Sequence, residues 1–158
     1  MSGIFATAGS KVYIGQVMES QSDDFVEADF NGNSWIEIGW LESIGQFGDE
    51  SSEITFDAIG ESRTLKLKGV RNAGSMELVA AVDHDDPGQI ALRAAEQAPD
   101  DYGIRVDFND APPGGNPSRR YFIAKVMSQR EQLDTANNVV KLAATLGVNS
   151  NIVRIAAS

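Results

Sequence analysis

The sequence contains no cysteine and one histidine among its 158 residues. Without cysteine there are no disulfide bonds, thiolate metal ligands or cysteine nucleophiles, so stability has to come from packing or from partner subunits. Residues 1–10 lack the basic and apolar segments of a signal peptide. No apolar run approaches the ~18–20 residues that span a bilayer. We therefore expect a chain that is made in the cytosol and does not insert into a membrane.

The single histidine also limits the chemistry that the chain could perform. His84 lies within Asp-His-Asp-Asp-Pro-Gly at 83–88, where Pro87 and Ala94 occupy positions that a calcium loop needs for ligands. Zinc would need further histidine or cysteine ligands. A hydrolase nucleophile elbow and the glycine motifs that bind phosphates or dinucleotides are also missing. Paired carboxylates leave a hydrolase hypothesis open, but we predict no catalytic residue, metal or cofactor, and no enzymatic activity.

The formal net charge is −10, and it is unevenly distributed along the chain. Residues 1–62 contain twelve acids and one base, Lys11, whereas residues 63–158 contain eleven acids and twelve bases. An acidic surface repels nucleic acid phosphates instead of binding them. The excess of acid is explained either by solubility or by a surface along which an anion must slide without sticking.

Alternation of apolar and polar residues with a period of two dominates the sequence and predicts β-strands. The predicted strands are 11–19, 35–47, 75–83, 102–108, 121–127, 139–148 and 152–156. Within the second of these, the alternation places Ile36, Ile38 and Trp40 on one apolar face. The strands 121–127 and 139–148 are apolar on both faces, so we predict that they are central.

One helix is predicted at about 87–98. Asp86 can cap its N-terminus, Pro87 suits its first position, and Pro99 ends it. The predicted fold is therefore mainly β, a two-sheet β-sandwich or small barrel with one flanking α-helix.

Two stretches are not explained by a compact domain, and long loops of this kind are usually functional or disordered. Residues 45–69 contain two short alternating pieces, 53–58 and 63–68, whose apolar residues the stretch cannot bury alone. Residues 109–120 are rich in proline and glycine and predict a loop. Arg119 and Arg120 form a small basic spot at its flank, either solvated or paired with an acidic neighbouring subunit.

Four stretches are informative in the order in which they occur: Trp-Ile-Glu-Ile-Gly-Trp-Leu-Glu-Ser-Ile-Gly at 35–45, Asn-Ala-Gly-Ser-Met-Glu-Leu at 72–78, Asp-Asp-Pro-Gly-Gln at 85–89 and the strand at 102–108. In these motifs and in the order of its elements, the chain resembles the tail tube (major tail) proteins of phages with long, non-contractile tails. The resemblance covers nearly the whole chain. It implies a β-sandwich that forms hexameric rings, which stack into the tube through which DNA passes.

The resemblance also implies a domain organisation and partners. It implies a single tail tube domain at 1–158, an N-terminal arm at 1–10, a long stacking loop at 45–69 and no C-terminal immunoglobulin-like domain. The implied partners are further copies of the chain and the tape-measure, tail terminator and tail tip proteins, with viral DNA passing without specific binding. The implied location is the virion tail, after assembly in the host cytoplasm.

Two sets of residues are expected to serve this assembly. Candidates for contacts between subunits are Ile4, Phe5, Phe47, Asp49, Glu50, Ile54, Phe56, Leu65, Leu67, Arg119 and Arg120. Candidates for acidic side chains that face the lumen are Glu37, Glu42 and Glu77.

Two alternatives remain at this stage. A tube subunit of a contractile tail or a related injection machine would share the fold. A soluble β-sandwich that binds a ligand belongs to a different class and would need an exposed aromatic platform, whereas the aromatic residues here are not interleaved with basic ones.

Overall fold

The structure, a computed structural model that describes residues 4–60 and 62–158, contains ten strands and one α-helix. The strands are β1 (Lys11–Val17), β2 (Ile36–Ile38), β3 (Leu41–Ser43), β4 (Glu50–Phe56), β5 (Leu65–Asn72), β6 (Ser75–Ala81), β7 (Tyr102–Asp107), β8 (Arg119–Gln132), β9 (Lys141–Val148) and β10 (Val153–Ile155). The helix, α1, spans Pro87–Gln97, and a short 3-10 turn spans Glu27–Phe30. The predicted mainly β fold with one helix is confirmed.

Eight of the strands form one antiparallel sheet that curls almost into a barrel. Its order is β2-β1-β7-β8-β9-β6-β3, and β10 pairs with the start of β8. The two edge strands, β2 and β3, are consecutive in the chain and are separated by Gly39 and Trp40 alone. Because three peptide units reach at most about 11 Å, this link holds the two edges of the sheet together. The remaining strands, β4 and β5, form a separate two-stranded sheet.

The link between β2 and β3 corrects the single strand predicted at 35–47. Ile38 pairs with Val12 of β1, but Leu41 pairs with Ala80 of β6, so the chain changes partner strands between them. Trp40 lies at this corner with a φ of 60° and is 67% exposed. The prediction that Trp40 continues the apolar face of Ile38 is wrong, because the alternation does not run through a corner.

The main core lies inside the curled sheet, where alternate residues of every long strand point inward. Phe122 of β8, Leu146 of β9, Met76 of β6 and Ile104 of β7 are fully buried there. Helix α1 adds Leu92 to the same core. The predictions that 121–127 and 139–148 are central strands are confirmed by the positions of β8 and β9 in the sheet.

A second, smaller core covers the outer face of β8. Phe25 and Phe30 pack there against Tyr121 and Ile123, and the rings of Phe30 and Tyr121 stack with centroids 5.2 Å apart. The segment that supplies the two phenylalanines precedes β2 and was not predicted to have structure.

In the described part of the chain no helix is both long and apolar enough for a membrane span.

Candidate assembly surfaces

The hairpin formed by β4 and β5 has an apolar face made of four residues. Ile54 pairs with Leu67, and Phe56 pairs with Leu65. Residues that pair directly, and residues two apart on a strand, point to the same side of a sheet. The four side chains therefore form one surface, and their exposed fractions range from 49% for Ile54 to 58% for Leu67. We call these four residues the hairpin apolar face.

The opposite face of the hairpin is polar. Glu53 pairs with Lys68, and Thr55 pairs with Lys66. The ammonium of Lys66 lies 3.9 Å from the carboxylate of Glu53. A hairpin with one apolar and one polar face is typical of a sheet that packs on something through the apolar side.

The other described residues leave the hairpin apolar face uncovered. None of its four residues belongs to either core cluster, and β4 and β5 pair with each other and not with the eight-stranded sheet. The root of the hairpin is held by Arg71, whose guanidinium donates to Asp49 at 2.7 Å. An isolated two-stranded hairpin is marginally stable in water, so this one needs a covering surface.

Three other predicted contact residues lie near the hairpin root or the N-terminus. Glu50 is exposed at the first position of β4. Phe47 is half-buried, and its ring centroid lies 5.5 Å from that of Phe122, so Phe47 already serves the core of its own subunit. Asp49 is engaged by Arg71 within the chain.

The described part of the predicted N-terminal arm lies beside the end of β7. Ile4 is fully exposed, and Phe5 is half exposed with its ring centroid 6.0 Å from that of Phe108. Phe5 also lines a cavity of about 190 Å³ together with Ile44 and Phe47. Residues 1–3 of the arm, and Glu61 of the predicted stacking loop, lie outside the described residues.

The structure corrects the placement of the two predicted arginines. Arg119 and Arg120 directly follow the loop but do not belong to it, because they are the first residues of β8 and pair with β7 and β10 on either side. Arg119 Nε lies 3.5 Å from Asp107 Oδ1. Asp107 is buried and accepts two hydrogen bonds from Arg105, at 2.8 and 2.9 Å, which raise the pKa of that guanidinium.

Arg120 occupies a different environment from Arg119. Its guanidinium lies 4.6 Å from the ring centroid of Phe108 and donates to the carbonyl oxygen of Arg119 at 3.0 Å. Arg154 of β10 stands directly opposite it. Burial lowers the pKa of Arg120, and the positive charge of Arg154 lowers it further.

The three predicted lumen acids all point away from the main core. Glu77 of β6 and Glu42 of β3 are on neighbouring strands, and Glu42 forms a salt bridge of 2.9 Å with Lys141. Glu37 is on β2, which the Gly39–Trp40 corner joins to β3, and it lies 3.7 Å from Lys11. Glu37 and Glu42 therefore lie on either side of this corner, and Glu77 lies on the strand that pairs with β3.

The described residues offer no arrangement suited to metal chemistry. Within 4–60 and 62–158 no three histidine, aspartate or glutamate side chains are grouped so that they could hold an ion. His84 is exposed at the turn before α1, and the neighbouring Asp83 and Asp86 are used in hydrogen bonds to Trp40 and to the helix N-terminus.

Solved structures similar to this one belong to tubes and to injection machines. A chain of the anti-feeding prophage baseplate matches with a TM-score of 0.72 and 15% identity, covering 99% of this chain and 98% of the other. A chain of the sheath/tube terminator of the PVC extracellular contractile injection system matches at 0.68 and 13%, covering 98% and 99%. The SPP1 tail tube matches at 0.65 and 16%, covering 92% and 77%. At such identities, these matches show a shared fold.

Comparison of the sequence with families gives a more specific result. A search of curated proteins found no match. The family model described as "Phage tail tube protein, TTP" matches residues 31–157, which is most of the chain and includes every strand after β1. The chain therefore belongs to the phage tail tube protein family, and its role is that of a tube subunit.

Proposed function

We propose that six copies of this chain close into a ring and that the rings stack into a tail tube through which viral DNA passes. In this proposal residues 1–158 act as one tail tube domain, with an arm at 1–10 and a stacking element at 45–69. Family membership supports the tube. Sixfold closure is supported by the similarity to a baseplate whose structure is 6-fold symmetrised.

The hairpin apolar face is the observation on which the proposal mainly depends. Four large apolar side chains lie together on a two-stranded sheet that no core cluster covers. Burying a side chain of this size stabilises a contact by roughly 1.5–3 kcal/mol. The polar reverse face keeps its charged groups in water while the apolar face packs against a neighbouring copy. Since every copy carries the same hairpin, one contact repeated along the assembly covers all of them.

The N-terminal arm is the second proposed contact between copies. Ile4 is fully exposed, and Phe5 touches its own subunit through Phe108. The arm therefore has one residue anchored on its own sheet and one directed outward. In the assembled tube, Ile4 inserts into an apolar site of the adjacent copy.

The proposed inner wall is the face of β6 and β9 that lies opposite the main core. Small residues dominate this face, and its side chains on β9 are Lys141, Ala143, Thr145 and, as a bare backbone, Gly147. Glu77 lies on it, and Glu42 of β3 reaches it and neutralises Lys141. A wall of small side chains on which Lys141 is paired with an acid lets DNA phosphates pass without specific binding.

Further partners follow from a tube of this kind. We propose that a tape-measure protein occupies the lumen before DNA does, that a terminator caps one end, and that tip proteins begin the other. Similar solved structures include a sheath/tube terminator and a tube terminating cap. The proposed location is the virion tail, with assembly in the host cytoplasm.

Electron microscopy combined with sedimentation velocity tests this function directly. The purified chain should form rings or tubes as its concentration rises. A variant in which a short Gly-Ser linker replaces residues 50–72 removes both hairpin strands together and should remain a folded, discrete small species. Tubes formed equally well by this variant would contradict the proposed role of the hairpin.

A further inference from the structure

Two arginines stand directly opposite each other on neighbouring strands. Arg120 of β8 pairs with Arg154 of β10 in the antiparallel ladder. Like charges in this position destabilise the pairing of two strands. Neither guanidinium forms a salt bridge within residues 4–60 and 62–158. The isolated subunit therefore carries a like-charge repulsion at this place.

The carboxylates of Asp107 and Asp110, which lie near the arginine pair in the sheet, already have partners within the subunit. Asp107 accepts both hydrogen bonds from Arg105 and lies 3.5 Å from Arg119. Asp110 attracts Arg120, but its two oxygens accept from the backbone N–H of Ser118 at 2.8 Å and from the Ser118 hydroxyl at 2.6 Å. Arg105, Asp107 and Arg119 lie on the other face of the sheet, so on the face of Arg120 and Arg154 two guanidiniums have Asp110 as a nearby carboxylate, an excess of one positive charge in a chain whose net charge is −10.

Partial burial makes the repulsion stronger than it would be in open solvent. Arg120 is half-buried above the ring of Phe108, which in turn contacts Phe5 of the arm. Charges that are partly buried are screened less by salt than exposed ones. The pKa of Arg120 is lowered accordingly.

The same chain contains a surface of opposite charge. Residues 19–29 include five acids and no base, and all five acids are exposed: Glu19, Asp23, Asp24, Glu27 and Asp29. Asp29 accepts a hydrogen bond from the backbone N–H of Val26 at 2.9 Å. The other four acids form no salt bridge within the described part of the chain.

The acidic segment and the arginine pair lie on opposite faces of β10. Val153 and Ile155 pack against the core of Phe25 and Phe30, which belongs to the acidic segment and its continuation. Arg154 lies between them in sequence and points to the other face. The acids of one copy are therefore turned away from its own arginine pair.

We propose that the Arg120–Arg154 pair binds carboxylates of segment 19–29 from a second copy of the chain. Because donor and acceptor surfaces differ, the contact is head-to-tail, the type that closes into rings or extends into filaments. This inference rests on the proposed tube and specifies a contact that builds it. The contact removes the repulsion within β8–β10 and neutralises excess acid in the same step.

Charge reversal and charge exchange test the proposal with the full chain. Arg154→Glu should raise the concentration threshold for assembly about tenfold, since close charged pairs across interfaces contribute strongly to association. The isolated Arg154→Glu subunit should melt at an equal or higher temperature, because the like-charge pair is gone. Adding Asp23→Arg and Asp24→Arg to Arg154→Glu should restore the threshold. Arg93→Glu on α1 makes the same change in net charge and is the control.

Different results would overturn the proposed contact and the proposed tube function. An unchanged threshold in Arg154→Glu, or no recovery in the charge-exchanged chain, would overturn the proposed contact while the wild-type tube still stands. If the reversal prevents folding, Arg154→Gln removes the charge alone and should show a smaller rise in threshold with a higher melting temperature. A lower melting temperature together with a normal threshold would also overturn the contact. Absence of tubes from the wild-type chain would instead overturn the proposed function.

Discussion

Asp86 connects the corner of the sheet to the start of helix α1 through a single carboxylate oxygen. Its Oδ2 accepts hydrogen bonds from the backbone N–H of Gly39 and from that of Gln89, each at 3.0 Å. The buried amide of Gln89 adds two bonds, donating to the carbonyl oxygens of Gly39 at 3.1 Å and Ala81 at 2.9 Å. The corner that nearly closes the sheet is thus held by side chains at the first turn of α1.

Asp86→Ala should destabilise the subunit. The substitution removes an N-cap, which costs about 0.5–2 kcal/mol, and leaves the N–H of Gly39 without its acceptor, which costs about 1–3 kcal/mol more. Urea unfolding followed by circular dichroism measures the loss. Asp85→Ala is the matched control, because Asp85 is exposed and its side chain makes no hydrogen bond within the described chain. Equal stability of the two variants would show that the shared carboxylate does not hold the corner.

Gly88→Ala should also destabilise the subunit, although alanine is the better helix former. A Cβ at this position would overlap the backbone carbonyl oxygen of Glu37 and the Cα of Ile38. Backbone atoms of β2 cannot move aside as a flexible side chain could, so α1 would have to shift away from the sheet. Thermal unfolding should show a fall in melting temperature. Gly60→Ala, whose Cβ would meet no atom of the described residues within 4 Å, should leave the melting temperature nearly unchanged.

Leu65→Asp and Leu67→Asp should each prevent assembly while leaving the subunit folded. Each places a charge on the hairpin apolar face, which would then be buried against a neighbouring copy without a partner. Thr55→Asp makes the same change in charge on the polar face of the same hairpin and should assemble normally. Electron microscopy shows whether tubes form, and circular dichroism shows whether the subunit is folded. Loss of the fold in the leucine variants, or loss of tubes in Thr55→Asp, would count against the assignment.

Asp110 should contribute to stability at neutral pH and lose that contribution in acid. Hydrogen bonds from the hydroxyl and the backbone N–H of Ser118 lower the pKa of Asp110 below its ordinary value. A depressed pKa in the folded state stabilises the fold above the unfolded pKa of about 3.9, and the gain disappears as the pH falls through the folded pKa. The melting temperature of Asp110→Asn should therefore lie below wild type at pH 7 and approach it in acid. A difference in melting temperature between the two proteins that stays constant from pH 7 into acid would contradict this.

Local signals predicted the regular elements closely. The predictions at 75–83, 102–108 and 87–98 compare with Ser75–Ala81, Tyr102–Asp107 and Pro87–Gln97 in the structure. Alternation, an N-cap and flanking prolines all act within a few residues, so a single sequence contains enough information to place such elements.

Features that depend on distant pairing were missed. The corner at Gly39–Trp40 arises because β2 and β3 pair with opposite edges of the sheet, and no local signal marks the change of partner. The same holds for Arg119 and Arg120, which follow a proline- and glycine-rich loop but pair with β7 and β10.

The hairpin formed by β4 and β5 was predicted only in part. The alternation of 53–58 and 63–68 indicated apolar residues that the stretch could not bury alone, and the structure leaves those residues half exposed. Their pairing into one hairpin was not predicted, because the strands are joined through residues 57–64 and the register shifts between Ser51 and Glu53.

A cryo-EM reconstruction of the assembled chain tests most directly whether identical neighbours complete the subunit. The map should show stacked rings in which Ile54, Phe56, Leu65 and Leu67 are buried against an adjacent copy. A map in which these side chains face solvent, with the rings joined through other surfaces, would contradict the account.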